Sequence, residues 1–108
     1  MTVKELTEKL GLETVSAGNG DARVSGCYCS DLLSHCMSNI RASNVWVTVQ
    51  ANINIVAIAV LTELSCIIIA QNMPVDEKVI QKAKEEDVSI LRSAQTAYEL
   101  CVGIGKLI

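Results

Sequence analysis

The chain has 108 residues, enough for one domain that buries about two-thirds of the surface its unfolded form would expose. Half of the residues are apolar but only 3% are aromatic and there is no Phe, so the core must be aliphatic, as suits strands buried on both faces. A net charge of −3 with no basic stripe argues against nucleic acid, and the longest apolar run, 55–61, is far short of the roughly 20 residues that span a bilayer.

Thr2-Val3-Lys4-Glu5 has the form of a capping box and opens a helix over 2–10, with Val3, Leu6 and Leu10 on one face and Gly11 as its stop. A short strand at 12–15 and a flexible turn at 17–20 follow. Residues 23–29 alternate as a strand, with Val24 and Cys27 or Cys29 inward. Ser30-Asp31 then reads as a helix start, with Leu32, Leu33 and Cys36 or Met37 on its buried side. After a loop at 39–44, Val45-Trp46-Val47-Thr48-Val49 is β-branched and aromatic, the pattern of a strand.

The segment 51–64 is ambiguous. Ile53, Ile55, Val56, Ile58 and Val60 favour a strand, whereas its length, Asn52 as a cap and the alanines at 57 and 59 favour a helix. We read a helix that is apolar on most sides, which asks for a covering neighbour, and a second subunit would supply one. Residues 66–70 form a buried strand. Pro74 opens a helix with Val75, Val79, Ile80 and Ala83 inward, 88–91 forms a strand, and a second capping box, Thr96-Ala97-Tyr98-Glu99, opens a last helix that Gly103 and Gly105 weaken. Strands alternating with helices imply parallel pairing and right-handed crossovers, and no linker divides the chain, so 1–108 reads as a single α/β domain.

Five cysteines, an odd number, with no apolar leader at the N-terminus suggest free thiols in a cytoplasmic setting rather than a disulfide framework. Cys66 and Cys101 lie in apolar runs and read as core. Cys27, Cys29, His35 and Cys36 are of metal-ligand type, but a Cys-x-Cys on a strand points both thiols to one face and no second pair supports it. The expectation is therefore no metal and no cofactor, with these four as the candidates otherwise.

A helix start at Ser30 and Asp31 would offer free N–H groups to an anion, in competition with ordinary capping. Thr48, Gln50, Asn52 and Asn54 follow the Trp46 strand, and Arg92, Ser93 and Thr96 follow the last one. Ligands of open α/β sheets gather at the carboxyl ends of strands. If these strands are neighbours, the polar groups converge with Ser30 and Asp31 on one rim, suited to a small anionic or nucleotide ligand. There is no P-loop or GxGxxG string, and His35 has no partner at a catalytic spacing, so the chain reads as a non-enzyme.

Taken together, Cys66-Ile67-Ile68-Ile69-Ala70, Pro74-Val75-Asp76-Glu77 with its helix, Val88-Ser89-Ile90-Leu91-Arg92-Ser93 and Thr96-Ala97-Tyr98-Glu99 resemble the DRTGG domain. The layout is similar to the N-terminal domain of HPr kinase/phosphorylase and to the regulatory segment of long phosphotransacetylases. Gly26 to Leu33 and Trp46-Val47-Thr48-Val49-Gln50 extend the likeness over nearly the whole chain. The literal DRTGG string is absent, and Gly20-Asp21-Ala22-Arg23-Val24 is a loose echo of it. The resemblance implies a three-layer α/β/α domain with a mostly parallel central sheet. It further implies a regulatory or interaction unit without kinase chemistry, commonly dimeric and often placed beside CBS pairs in regulated pyrophosphatases. Stand-alone members occur with iron-hydrogenase genes. That context gives the alternative expectation, an accessory protein of an iron-hydrogenase or electron-transfer system, with or without a Cys-bound metal or iron–sulfur cluster.

Overall fold

In the computed structural model, which describes residues 1–108, the N-terminal capping box forms as its spacing dictates. The Thr2 hydroxyl accepts from the Glu5 N–H at 3.2 Å, and the Glu5 carboxylate accepts from the Thr2 N–H at 3.1 Å. They open helix α1 (Val3–Leu10), which Gly11 ends at φ 61. There follow β1 (Glu13–Ser16), β2 (Gly26–Cys29), α2 (Leu33–Asn39), β3 (Asn44–Thr48), α3 (Asn54–Thr62), β4 (Cys66–Ile69), α4 (Glu77–Glu85), β5 (Ile90–Arg92) and α5 (Ala97–Gly105). The second capping box closes at Thr96 and Glu99 with the same pair of bonds.

The five strands make one sheet in the order β1-β5-β4-β3-β2. All pairs are parallel except β1 with β5, which run antiparallel. The strands β2 to β5 step across the sheet in one direction, and right-handed crossovers in one direction leave every connecting helix on the same face. The core agrees. Cys36, Ile55, Val56 and Ile58 pack with Trp46, Ile67 and Ile69 in one cluster. The other face is left to the two terminal helices, and Val3, Leu6, Leu100 and Ile104 cover Val45, Val47, Cys66 and Ile68 there. This is the expected three-layer α/β/α arrangement.

Several boundaries differ from the sequence reading: β2 begins at Gly26 rather than 23, and β5 spans Ile90–Arg92 rather than 88–91. Helix α3 is nine residues long rather than fourteen, and the Asn52 side chain folds a turn ahead of it by accepting from the Asn54 N–H at 2.8 Å. Helix α4 begins at Glu77 behind an Asp76 cap, three residues after Pro74. Helix α2 begins at Leu33 without a side-chain cap, so Ser30 and Asp31 precede it rather than cap it. The late start turns Leu32 and Met37 outward, at 56% and 41% exposure.

The loop before β2 is held by close approach. A Cβ on Gly18 would sit 2.6 Å from the Asp87 carbonyl and 2.7 Å from the Ser89 nitrogen, so only glycine fits.

Trp46 is fully buried at the centre of the sheet, and its indole N–H donates to the Ser30 carbonyl at 2.9 Å. Trp46→Ala is expected to lower unfolding stability by about 3–5 kcal/mol in urea titrations followed by circular dichroism. The Thr2 and Thr96 hydrogen bonds hold the Glu5 and Glu99 carboxyls below their ordinary value of 4.5. Depressed folded-state values stabilise the protein above the ordinary value, and that contribution is lost as pH falls through them. The double variant Glu5→Gln, Glu99→Gln should accordingly show a shallower loss of melting temperature than the parent between pH 5 and pH 3.

Candidate functional site

The carboxyl ends of β2, β3, β4 and β5 fall on one edge of the sheet, at Cys29, Thr48, Ile69 and Arg92. Asp31 is the organising residue on the β3 side. Its Oδ1 accepts from the Thr48 hydroxyl at 2.7 Å and from the Val49 N–H at 2.9 Å. Thr48 Oγ1 in turn accepts from the Gln50 N–H at 3.0 Å. The Ser30 hydroxyl accepts from the Leu32 N–H at 3.2 Å. Asp31, Thr48 and Gln50 thus form one connected group, with Ser30 beside Asp31 in sequence but its hydroxyl on the Leu32 N–H, and Asn52 in the turn just beyond.

Arg92, Ser93 and Thr96 do not join it. Strand β4 lies between β3 and β5, so the two strands are not neighbours and the rim is split. The turn after β4 fills the gap: the Gln71 N–H donates to the Gln95 carbonyl at 2.9 Å and the Asn72 N–H to the Ser93 carbonyl at 2.8 Å. Arg92 lies inside β5 rather than beyond it. Its guanidinium grips the Glu13 carboxylate on β1, with Nε–Oε1 at 2.9 Å and Nη2–Oε2 at 3.2 Å. The Ser93 hydroxyl accepts from the Gln95 N–H, and Thr96 caps α5. A carboxylate at Asp31 repels anions, and the arginine that would offset it is already engaged.

The hollows of the surface lie elsewhere, chiefly along α3. One of about 370 Å³ between α3 and α4 is lined by Ile53, Val56, Val60 and Leu61, with Lys82 and Glu86 at its border. Another of about 390 Å³ between α2 and α3 is lined by Leu33, Met37, Ala57 and Ile58. Between them α3 presents Ile53, Ala57, Val60 and Leu61 to solvent, Leu61 at 67% exposure. Lys82 and Glu86 pair with each other at 3.3 Å.

The four candidate metal ligands are not brought together. Cys27 and Cys29 pair in register with Val45 and Val47 and so share the face of the terminal helices. Cys36 is buried in the opposite layer, its thiol donating to the Ser30 carbonyl at 3.5 Å, and His35 is exposed on α2. No three His, Cys, Asp or Glu side chains are grouped to hold a metal ion. The thiol neighbouring Cys27 and Cys29 is instead that of Cys101, half-buried on α5 where this helix packs on β2. Partial burial, then the neighbouring Cys101, push the Cys27 thiol up to about 12 and the Cys29 thiol up to about 11.

A profile of the DRTGG domain matches residues 5–106. The chain belongs to the DRTGG domain family. Among solved structures, this DRTGG domain is similar to the CBS and DRTGG domains of the regulatory region of Clostridium perfringens pyrophosphatase, complexed with its activator, diadenosine tetraphosphate. That likeness has a TM-score of 0.74 at 11% identity and covers 95% of this chain and 45% of the other, so this chain spans less than half the length of that one. No curated protein matches it. No helix is long and apolar enough to cross a membrane.

Asp31→Ala would strip an acceptor from the buried Thr48 hydroxyl and from the Val49 N–H. The expected cost is about 1–3 kcal/mol in chemical denaturation, with a smaller loss for Asp31→Asn, which keeps Oδ1.

Proposed function

We propose that this DRTGG domain is a non-catalytic regulatory module that works as a homodimer paired across α3. One observation carries the reading: over Asn54–Thr62 the helix has no charged residue, its outer side is apolar, and hollows run along both flanks. A ridge between two grooves is self-complementary under two-fold symmetry, because the ridge of each copy enters a groove of the other. The border suits a second copy as well. Lys82 and Glu86 present opposite charges side by side, so two copies meet without net repulsion.

A second reading, ligand sensing, draws on the nucleotide bound by the pyrophosphatase regulatory region. Ser30, Asp31, Thr48, Gln50 and Asn52 on one side of the split rim, and Arg92, Ser93 and Thr96 on the other, are the groups a nucleotide would meet. The Asp31 carboxylate suits ribose hydroxyls or an exocyclic amine rather than phosphate. The setting is cytoplasmic under both readings. The alternative, an accessory protein of an iron-hydrogenase or electron-transfer system, draws on the five cysteines and the family context; Cys36 lies on the opposite side of the sheet from Cys27 and Cys29, which weighs against its metal-bound form only.

Light scattering on the purified chain at tens of micromolar should give twice the monomer mass. Leu61→Asp should give the monomer mass with an unchanged far-ultraviolet spectrum. A monomeric parent protein would end the dimer reading. For the second reading, diadenosine tetraphosphate at about 100 Kd should stabilise the domain by roughly 2.7 kcal/mol in thermal unfolding, and Gln50→Ala with Asn52→Ala should remove the shift.

A further inference from the structure

Three of the five cysteines converge on one patch that neither proposed surface uses. The alternation of β2 puts Cys27 and Cys29 on the same face, and both are exposed because β2 is an edge strand. Helix α5 lies over β2 and β3 and carries Cys101 against this face. The remaining two thiols are set apart. Cys66 is fully buried on β4 with β3 between it and β2, and Cys36 lies in the opposite layer.

We propose that Cys101 and the β2 pair form a thiol–disulfide site, in which Cys101 takes up an oxidising equivalent from a low-molecular-weight disulfide and closes a bond to Cys27 or Cys29. In the first step the Cys101 thiolate attacks one sulfur of the disulfide RSSR, forming a mixed disulfide and releasing RS⁻. In the second, the thiolate of Cys27 or Cys29 attacks the Cys101 sulfur and releases the other RS⁻. Two protein thiols are oxidised, RSSR is reduced to two RSH, and the two protein protons end on the released thiols.

The β2 pair cannot substitute for this bond. Residues i and i+2 of a strand lie about 6.6 Å apart with parallel Cβ directions, the outer limit of disulfide geometry. The cross-link must therefore pass through Cys101. It would tie the C-terminal helix to an edge strand, closing a loop that contains β3, β4 and β5 but leaves β1 outside. The attacking species is the thiolate, so resolution of the mixed disulfide quickens as pH rises.

The test uses the full chain, reduced and freed of air, then exposed to oxidised glutathione at pH 7 and pH 9. Peptide mapping without reductant should find Cys101 joined to Cys27 or Cys29 within one chain, formed faster at pH 9. The melting temperature should rise by roughly 10 °C or more and fall back on reduction. Cys27→Ser and Cys29→Ser singly should each leave the cross-link to the other cysteine. Cys101→Ser, and the surface double variant Cys27→Ser, Cys29→Ser, should abolish it while retaining the parent far-ultraviolet spectrum. Recovery of glutathione adducts alone, of bonds only between chains, or of an undiminished internal disulfide in Cys101→Ser would overturn the proposal.

Discussion

A sheet whose middle strands are apolar on both faces has to be covered on both faces, and the rest of this structure follows from that requirement. Strands β3 and β4 place Val45, Trp46, Val47 and then Cys66, Ile67, Ile68 and Ile69 entirely out of water. Alternate residues point to opposite sides, so neither side is free to face solvent. Because β2 to β5 advance in one direction, their crossovers supply one layer only. The second layer has to come from outside the crossover series, and α1 and α5 provide it, fixed by their two capping boxes.

The same requirement explains why the two candidate surfaces lie where they do. Helix α3 is the middle of three helices on its face and seals the sheet with Ile55, Val56, Ile58 and Ala59. Its opposite side would ordinarily be polar, yet it carries Ile53, Ala57, Val60 and Leu61. Burial against the sheet accounts for the inner residues and leaves the outer ones without a role inside the chain. In the proposed homodimer a second copy would supply that role. The rim at the strand ends is organised differently, by the Asp31 carboxylate bridging from β2 to the end of β3. It is a wired edge rather than a cavity, and its polar groups are largely spent on each other.

What the sequence disclosed was local. Both capping boxes were legible because four consecutive residues contain the donors and acceptors. The buried strands at 45–49 and 66–70 were legible from β-branched composition. Adjacency was not: nothing near Thr48 or Arg92 says that β4 separates them, so the two halves of the rim looked like one. Asp31 resembled a helix cap because its partners, Thr48 and Val49, are seventeen and eighteen residues away. That long reach delays α2 to Leu33 and turns Leu32 outward. Cys101 looked like core for the same reason, since only the docking of α5 on β2 reveals its neighbours.

Hydrogen exchange measured by mass spectrometry, at concentrations well below and well above a micromolar, tests the pairing of α3 most directly. The account predicts that protection of 53–62 rises with concentration, joined by the flanking segments around Met37 and Lys82, while β1 and α1 stay constant. Exchange along α3 that does not change with concentration, or protection that grows on the α1 and α5 face instead, would contradict it.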